Sequence, residues 1–182
     1  KLISSMGIKF KTPLTFKATR LGTLGKRTRG TYTNATKVIE LKDMSDANKT
    51  LMHEIGHALD YALSDIGMRG RHNEQRLKNA GQMTNLATGT KSQPDELSKM
   101  YNELHDVVTQ SDFYQQAKGK YRKYLNTSTE VFARAFEVYS LHKAEKAGMS
   151  QAFIDTFMPD VFKVNDPELV KIRKELDKLD SE

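Results

Sequence analysis

A chain of 182 residues with 37% hydrophobic and 29% charged side chains can bury one core, and its length argues for a single domain over 1–182. No apolar run approaches membrane-spanning length, which argues against an integral membrane protein. Cysteine is absent, so a disulfide scaffold and a thiolate metal site are excluded, and any metal must be held by His, Asp or Glu. The net charge of +6 is uneven: residues 1–44 carry ten Lys/Arg against two acids, and residues 45–182 carry 19 against 21.

Residues 1–44 read as a basic, β-rich part. Gly7 to Lys11 and Leu14 to Ala18 alternate apolar and basic residues on either side of Pro13, which predicts two strands. Arg20 to Gly30 is a basic, glycine-containing stretch. It reads either as a solvated loop or as an attractor of an acidic partner. Few aromatics interleave its charges, which speaks against a nucleic-acid groove. Gly22 and Gly25 are too close together for a phosphate-binding P-loop, and neither Ser nor Thr follows Lys26 directly. Thr31–Thr33 and Thr36–Leu41 predict two short strands around an Asn34-Ala35 turn.

Residues 45–182 read as helical. Ser45 is a fitting N-cap for a helix from Asp46 to about Leu63, with Leu51, Ile55, Ala58, Leu59 and Ala62 at helical spacing. A polar stretch, partly helical, runs from Asp65 to Ser92. Ser92 and Pro94 open a helix carrying Leu97, Met100, Tyr101, Leu104 and Val108. A short helix over Asp112–Gln116 and a basic segment from Lys118 to Lys123 come next. Thr127 or Ser128 opens a helix to about Lys146, stopped at Gly148. A charged helix over Asp166 to about Asp180 closes the chain. Strands followed by packed helices predict an α+β fold dominated by helices.

The most informative run is His53-Glu54-Ile55-Gly56-His57, inside the first helix. Two histidines four apart lie on one helix face and can reach one metal ion. Glu54 then sits beside the open coordination position, placed to handle the proton of a water. A catalytic zinc needs a third protein ligand. A histidine six residues beyond His57 would fall at Leu63, which excludes the metzincin pattern. His72, His105, His142 and carboxylates of a second helix remain. Among those carboxylates, Glu130 shares a helix face with Ala133, Arg134 and Glu137, while Phe132, Phe136 and Tyr139 form an apolar stripe. Small Ala133 would let this helix lie close to that of His53 and His57. Thr127-x-x-Glu130 is equally a capping box, in which the glutamate caps its own helix. Asp60, three residues after His57, is either an acceptor for a ligand imidazole or an exposed helix acid. Gly56, unfavourable inside a helix, points to a close backbone approach.

The stretches His53-Glu-Ile-Gly-His-Ala-Leu-Asp60-Tyr and Thr129-Glu-Val-Phe-Ala-Arg-Ala-Phe-Glu137 resemble the gluzincin-type zinc peptidases, above all the lethal-factor type of catalytic domain known from anthrax toxin. The second stretch is also similar to a metallopeptidase-like segment of large polyvalent proteins of phages and mobile elements. The likeness covers roughly residues 30–140 by order and spacing. It implies a zincin-like fold and a zinc-dependent endopeptidase acting on a protein or peptide substrate. His53, His57 and Glu130 would be the zinc ligands and Glu54 the general base. A tyrosine shortly before the ligand glutamate, Tyr124 or Tyr121, would stabilise the oxyanion, Tyr124 fitting the spacing better. The strand Thr36–Leu41 would be the edge along which an extended substrate lies. Arg134 stands where the family has an acid, and Val131 where it has an aromatic. A toxin or secreted effector, a virion-associated protein, and a catalytically weak zinc-binding interaction module all agree with the resemblance.

Overall fold

The computed structural model describes residues 10, 13–18, 28–42, 47–67 and 96–157. The expected strand over Gly7–Lys11, the Arg20–Gly30 loop, the Ser45 and Ser92/Pro94 helix starts, the Asp65–Ser92 stretch and the final helix fall largely or wholly outside these residues. Among them the architecture is α+β and dominated by helices, as the hydrophobic patterning predicts. In chain order the elements are β1 (Thr15–Ala18), β2 (Gly30–Thr33), β3 (Val38–Leu41), α1 (Ala47–Gly67), α2 (Glu96–Gln110), α3 (Asp112–Gln116), α4 (Gly119–Leu125), α5 (Ser128–Lys146) and α6 (Gln151–Phe157). No helix of the described residues is long and apolar enough to cross a membrane.

The three strands form one mixed sheet in the order β1-β3-β2. β1 lies parallel to β3 with Phe16 opposite Ile39, and β2 lies antiparallel to β3 with Tyr32 also opposite Ile39. β3 is therefore the central strand, and the edge role implied for Thr36–Leu41 is corrected. That strand also begins at Val38, not Thr36. Residues 34–37 are turn, and Lys37 adopts a left-handed φ of 55° that extended backbone cannot use. The sheet edge beside the helices is β2.

The helical layer is built on α1 and α5, which pack face to face. Ile55, Leu59, Phe132, Phe136, Leu104, Val108 and Leu141 are all buried in one core with Ile39 of the sheet. At the crossing the two backbones nearly touch. A methyl group added at Gly56 would stand 2.8 Å from Cα of Ala133. The glycine is tolerated in mid-helix, at a cost of about 1 kcal/mol relative to alanine, because only it permits this approach. The C-terminus of α5 ends as anticipated at Gly148, with φ of 65°. Gly148 N–H donates to Glu145 O at 3.0 Å and Met149 N–H to Ala144 O at 3.1 Å, the Schellman pattern. Helix α6 was not foreseen; its seven residues follow that stop and contribute buried Ile154 to the core.

Candidate metal centre

The close crossing of α1 and α5 brings three side chains from distant parts of the sequence to one point. Nε2 of His53 and Nε2 of His57 face each other at 3.1 Å. Glu130 of α5 presents Oε1 at 3.4 Å from His53 Nε2 and Oε2 at 3.5 Å from His57 Nε2. Ligand atoms bound 2.0–2.1 Å from a tetrahedral metal are about 3.3 Å apart, so these spacings suit a zinc-sized ion. Two imidazole nitrogens so close need a proton or a cation between them, since two lone pairs repel. Oε2 of Glu130 is buried and accepts no hydrogen bond, which is costly unless a positive partner meets it. His53, His57 and Glu130 thus fit a metal ion by distance, by donor chemistry and by an orphaned acceptor.

Electrostatics agree with the geometry. Burial would raise the Glu130 carboxyl, but the two imidazoles and Arg134 outweigh it and hold the group well below the usual carboxylate range. Burial and the Arg134 charge push His53 down, while Glu130 and Glu137 pull it up further, to about 9. A metal ion at this point competes with a proton on His53, so metal binding there is expected to release protons.

The capping box does not form. Thr127 is the N-cap of α5 but makes no side-chain capping bond; its hydroxyl donates to the Tyr124 carbonyl at 2.8 Å. Glu130 is turned to the histidines instead.

Two further residues of α5 complete the cluster. Oε1 of Glu137 lies 2.8 Å from Nδ1 of His53, on the side of the ring away from His57. The distance suits a hydrogen bond, although the ring N–H does not point squarely at that oxygen. Arg134 bridges the two carboxylates, with Nε 3.2 Å from Glu130 Oε1 and Nη1 3.0 Å from Glu137 Oε1. Its guanidinium also lies over the Phe113 ring, 5.4 Å from the centroid. The sequence showed Glu137 only as a residue on the same face as Glu130. Its signal was the seven-residue spacing, two helical turns, which aligns it one level deeper along the groove between the helices.

Glu54 is buried next to the cluster. Burial raises its pKa, and the His53 and His57 charges oppose that. The Tyr32 backbone N–H of β2 also donates to its carboxylate. The sheet register explains this donor. Lys42 N–H bonds Arg29 O at 2.8 Å, so Gly30 and Tyr32 take the alternate positions whose N–H groups point away from β3. Gly30 makes the approach possible: a Cβ there would stand 2.6 Å from Thr50 Cγ2 and 3.2 Å from Glu54 Cγ. Neither Gly30 nor Tyr32 carries a sequence signal for this role.

Of the two tyrosines, Tyr124 reaches the cluster. Half of its surface is exposed, at 52%. Burial, then the nearby Glu130 carboxylate, push the phenol above its ordinary pKa. Tyr121 stacks on Tyr124 at 6.4 Å. Asp60 is fully buried, so the exposed-acid reading is overturned. Burial raises its carboxyl to about 7. The carboxylate at a ligand imidazole is nevertheless Glu137, on the other helix. His105 pairs with neighbouring Asp106 at 2.9 Å, and His142 is buried in α5; neither joins the cluster. His72 lies outside the described residues. Comparison with protein-family models, with curated proteins and with solved structures finds no match to the chain.

Proposed function

We propose that the chain is a zinc-dependent endopeptidase of the gluzincin type, with a zincin-like fold, that hydrolyses peptide bonds in a protein substrate. The observation that carries this reading is the convergence of His53, His57 and Glu130 at spacings of 3.1 to 3.5 Å, with Glu54 buried beside them. Zinc bound there would supply an activated water and a Lewis acid for a carbonyl oxygen.

The chain's own groups account for the rest. Glu54 accepts a proton and returns it to the departing amine, and its raised affinity for protons suits that exchange. The Tyr32 N–H holds its carboxylate in place. Tyr124, half-exposed near Glu130, can donate its hydroxyl to an oxygen that becomes negative during the reaction. Glu137 holds the His53 ring so that Nε2 faces the site.

Arg134 favours a second reading. A guanidinium on the ligand carboxylate draws off part of the charge that Glu130 offers a metal, as in a weakly active zinc-binding interaction module. Replacing Glu54 separates the two. Wild-type protein with one zinc per chain should cleave a peptide library, and Glu54→Gln should keep the zinc and lose cleavage. Undiminished cleavage by that variant would reject the peptidase assignment; zinc without cleavage in either protein would favour the module. Zinc content of Glu130→Ala after mild dialysis tests the ligand set itself.

A further inference from the structure

Helix α4, Gly-Lys-Tyr-Arg-Lys-Tyr-Leu, packs against α5, the helix that carries Glu130. Arg134, paired with Glu130, lies over Phe113, which packs against Tyr121 of α4, and Leu125 of α4 is buried in the core; the Glu130 carboxylate acts on the Tyr124 phenol. From Lys118 to Lys123 the chain carries four cations and no acid, although residues 45–182 as a whole are slightly acidic. Lys118, Lys120, Arg122 and Lys123 are all exposed, and none makes an ion pair among the described residues.

Helix stability does not account for this concentration. Arg122 and Lys123, in the last turn, agree with the helix macrodipole. Lys120 lies in the first turn, where a cation opposes it. Helical spacing puts Lys120 one turn before Tyr124 and Lys123 one turn after Lys120, so the two lysines lie together on one side of Tyr124, away from buried Leu125. Arg122 falls on the opposite side of the helix. The exposed rings of Tyr121 and Tyr124 stack on each other at 6.4 Å and 22°, and Phe113 packs edge-on against Tyr121 at 6.4 Å. Together they make an aromatic patch whose Tyr124 end adjoins the two lysines.

We propose that α4 is a substrate-recognition surface: Lys120 and Lys123, side by side next to Tyr124, take an acidic segment of the peptide next to the bond presented to the metal centre. The proposal builds on the peptidase reading and names its substrate class. Two exposed lysines in a high-dielectric setting give a modest, salt-sensitive preference, not an absolute one.

The test compares matched peptides that differ only in an Asp/Glu pair versus an Asn/Gln pair on either side of the cleaved bond. Wild-type protein should favour the acidic peptide in kcat/KM by roughly three- to tenfold at low salt. The double variant Lys120→Gln/Lys123→Gln should lose that preference and cleave the neutral peptide as before. Arg122→Gln, on the far side of α4, should keep it. Equal preference in the double variant would overturn the inference, as would equal loss in Arg122→Gln, which marks general charge. Fluorescence anisotropy with the same peptides keeps the test independent of turnover. Acidic-peptide binding that depends on Lys120 and Lys123 in a protein without cleavage would sustain the surface and drop the peptidase reading. An oligothymidylate of matched charge that binds as tightly as the acidic peptide would overturn the inference and assign the helix to nucleic acid.

Discussion

Glu137 Oε1 and His53 Nδ1 lie 2.8 Å apart, on the face of the imidazole opposite the one that looks at His57. A carboxylate in that place fixes which ring nitrogen carries the proton and leaves Nε2 as the donor to a metal. Losing such a partner weakens metal affinity about 10- to 100-fold. Glu137→Ala should show that loss in chelator competition, while Glu137→Gln, which keeps an acceptor at the same reach, should recover part of it. Unchanged zinc affinity in Glu137→Ala would reduce the contact to packing.

Gly56→Ala tests the helix crossing. The new methyl would meet the Ala133 backbone at 2.8 Å, and backbone cannot move aside as a flexible side chain can. Overpacking of this kind costs about 1–3 kcal/mol, against about 1 kcal/mol gained in helix propensity. The variant should unfold at lower temperature and hold zinc more weakly, because Glu130 is carried on the displaced helix. A higher melting temperature with full zinc content would contradict the contact.

Asp60 gives a pH dependence. Its folded pKa of about 7 lies above the ordinary 3.8, so the folded state binds the proton more tightly than the unfolded chain. The associated stability is fully present below about pH 4 and is lost as pH rises through 7. Asp60→Asn should therefore be more stable than wild type at pH 8, with the difference shrinking towards pH 4. Denaturant titrations at both pH values measure it; a constant difference would assign the pH dependence to other groups.

Tyr124→Phe removes one hydroxyl and keeps the ring stacked on Tyr121. If that hydroxyl donates to the reacting oxygen, kcat should fall roughly a hundredfold with KM and zinc content little changed. A fall in zinc content instead would place the hydroxyl's role at the nearby Glu130 carboxylate.

What the sequence by itself determined is local. The four-residue spacing of His53 and His57 dictates a shared helix face whatever surrounds it, because the helical repeat is short-ranged. The same holds for the glycine stop at Gly148, the apolar stripe of α5 and the short α3. Gly56 and Ala133 each mark a helix able to pack closely, and the fold sets one against the other. Tertiary structure alone decided which carboxylate met the histidines, since Glu130 as cap and Glu130 as ligand have identical spacing from Thr127. It also placed β3 in the middle of the sheet, an arrangement of long-range pairings that alternation within one strand does not encode. Glu137, Gly30 and the Tyr32 N–H enter the site for the same reason. Each acts through contacts between elements far apart in the chain, where side-chain chemistry matters less than which backbones pack together.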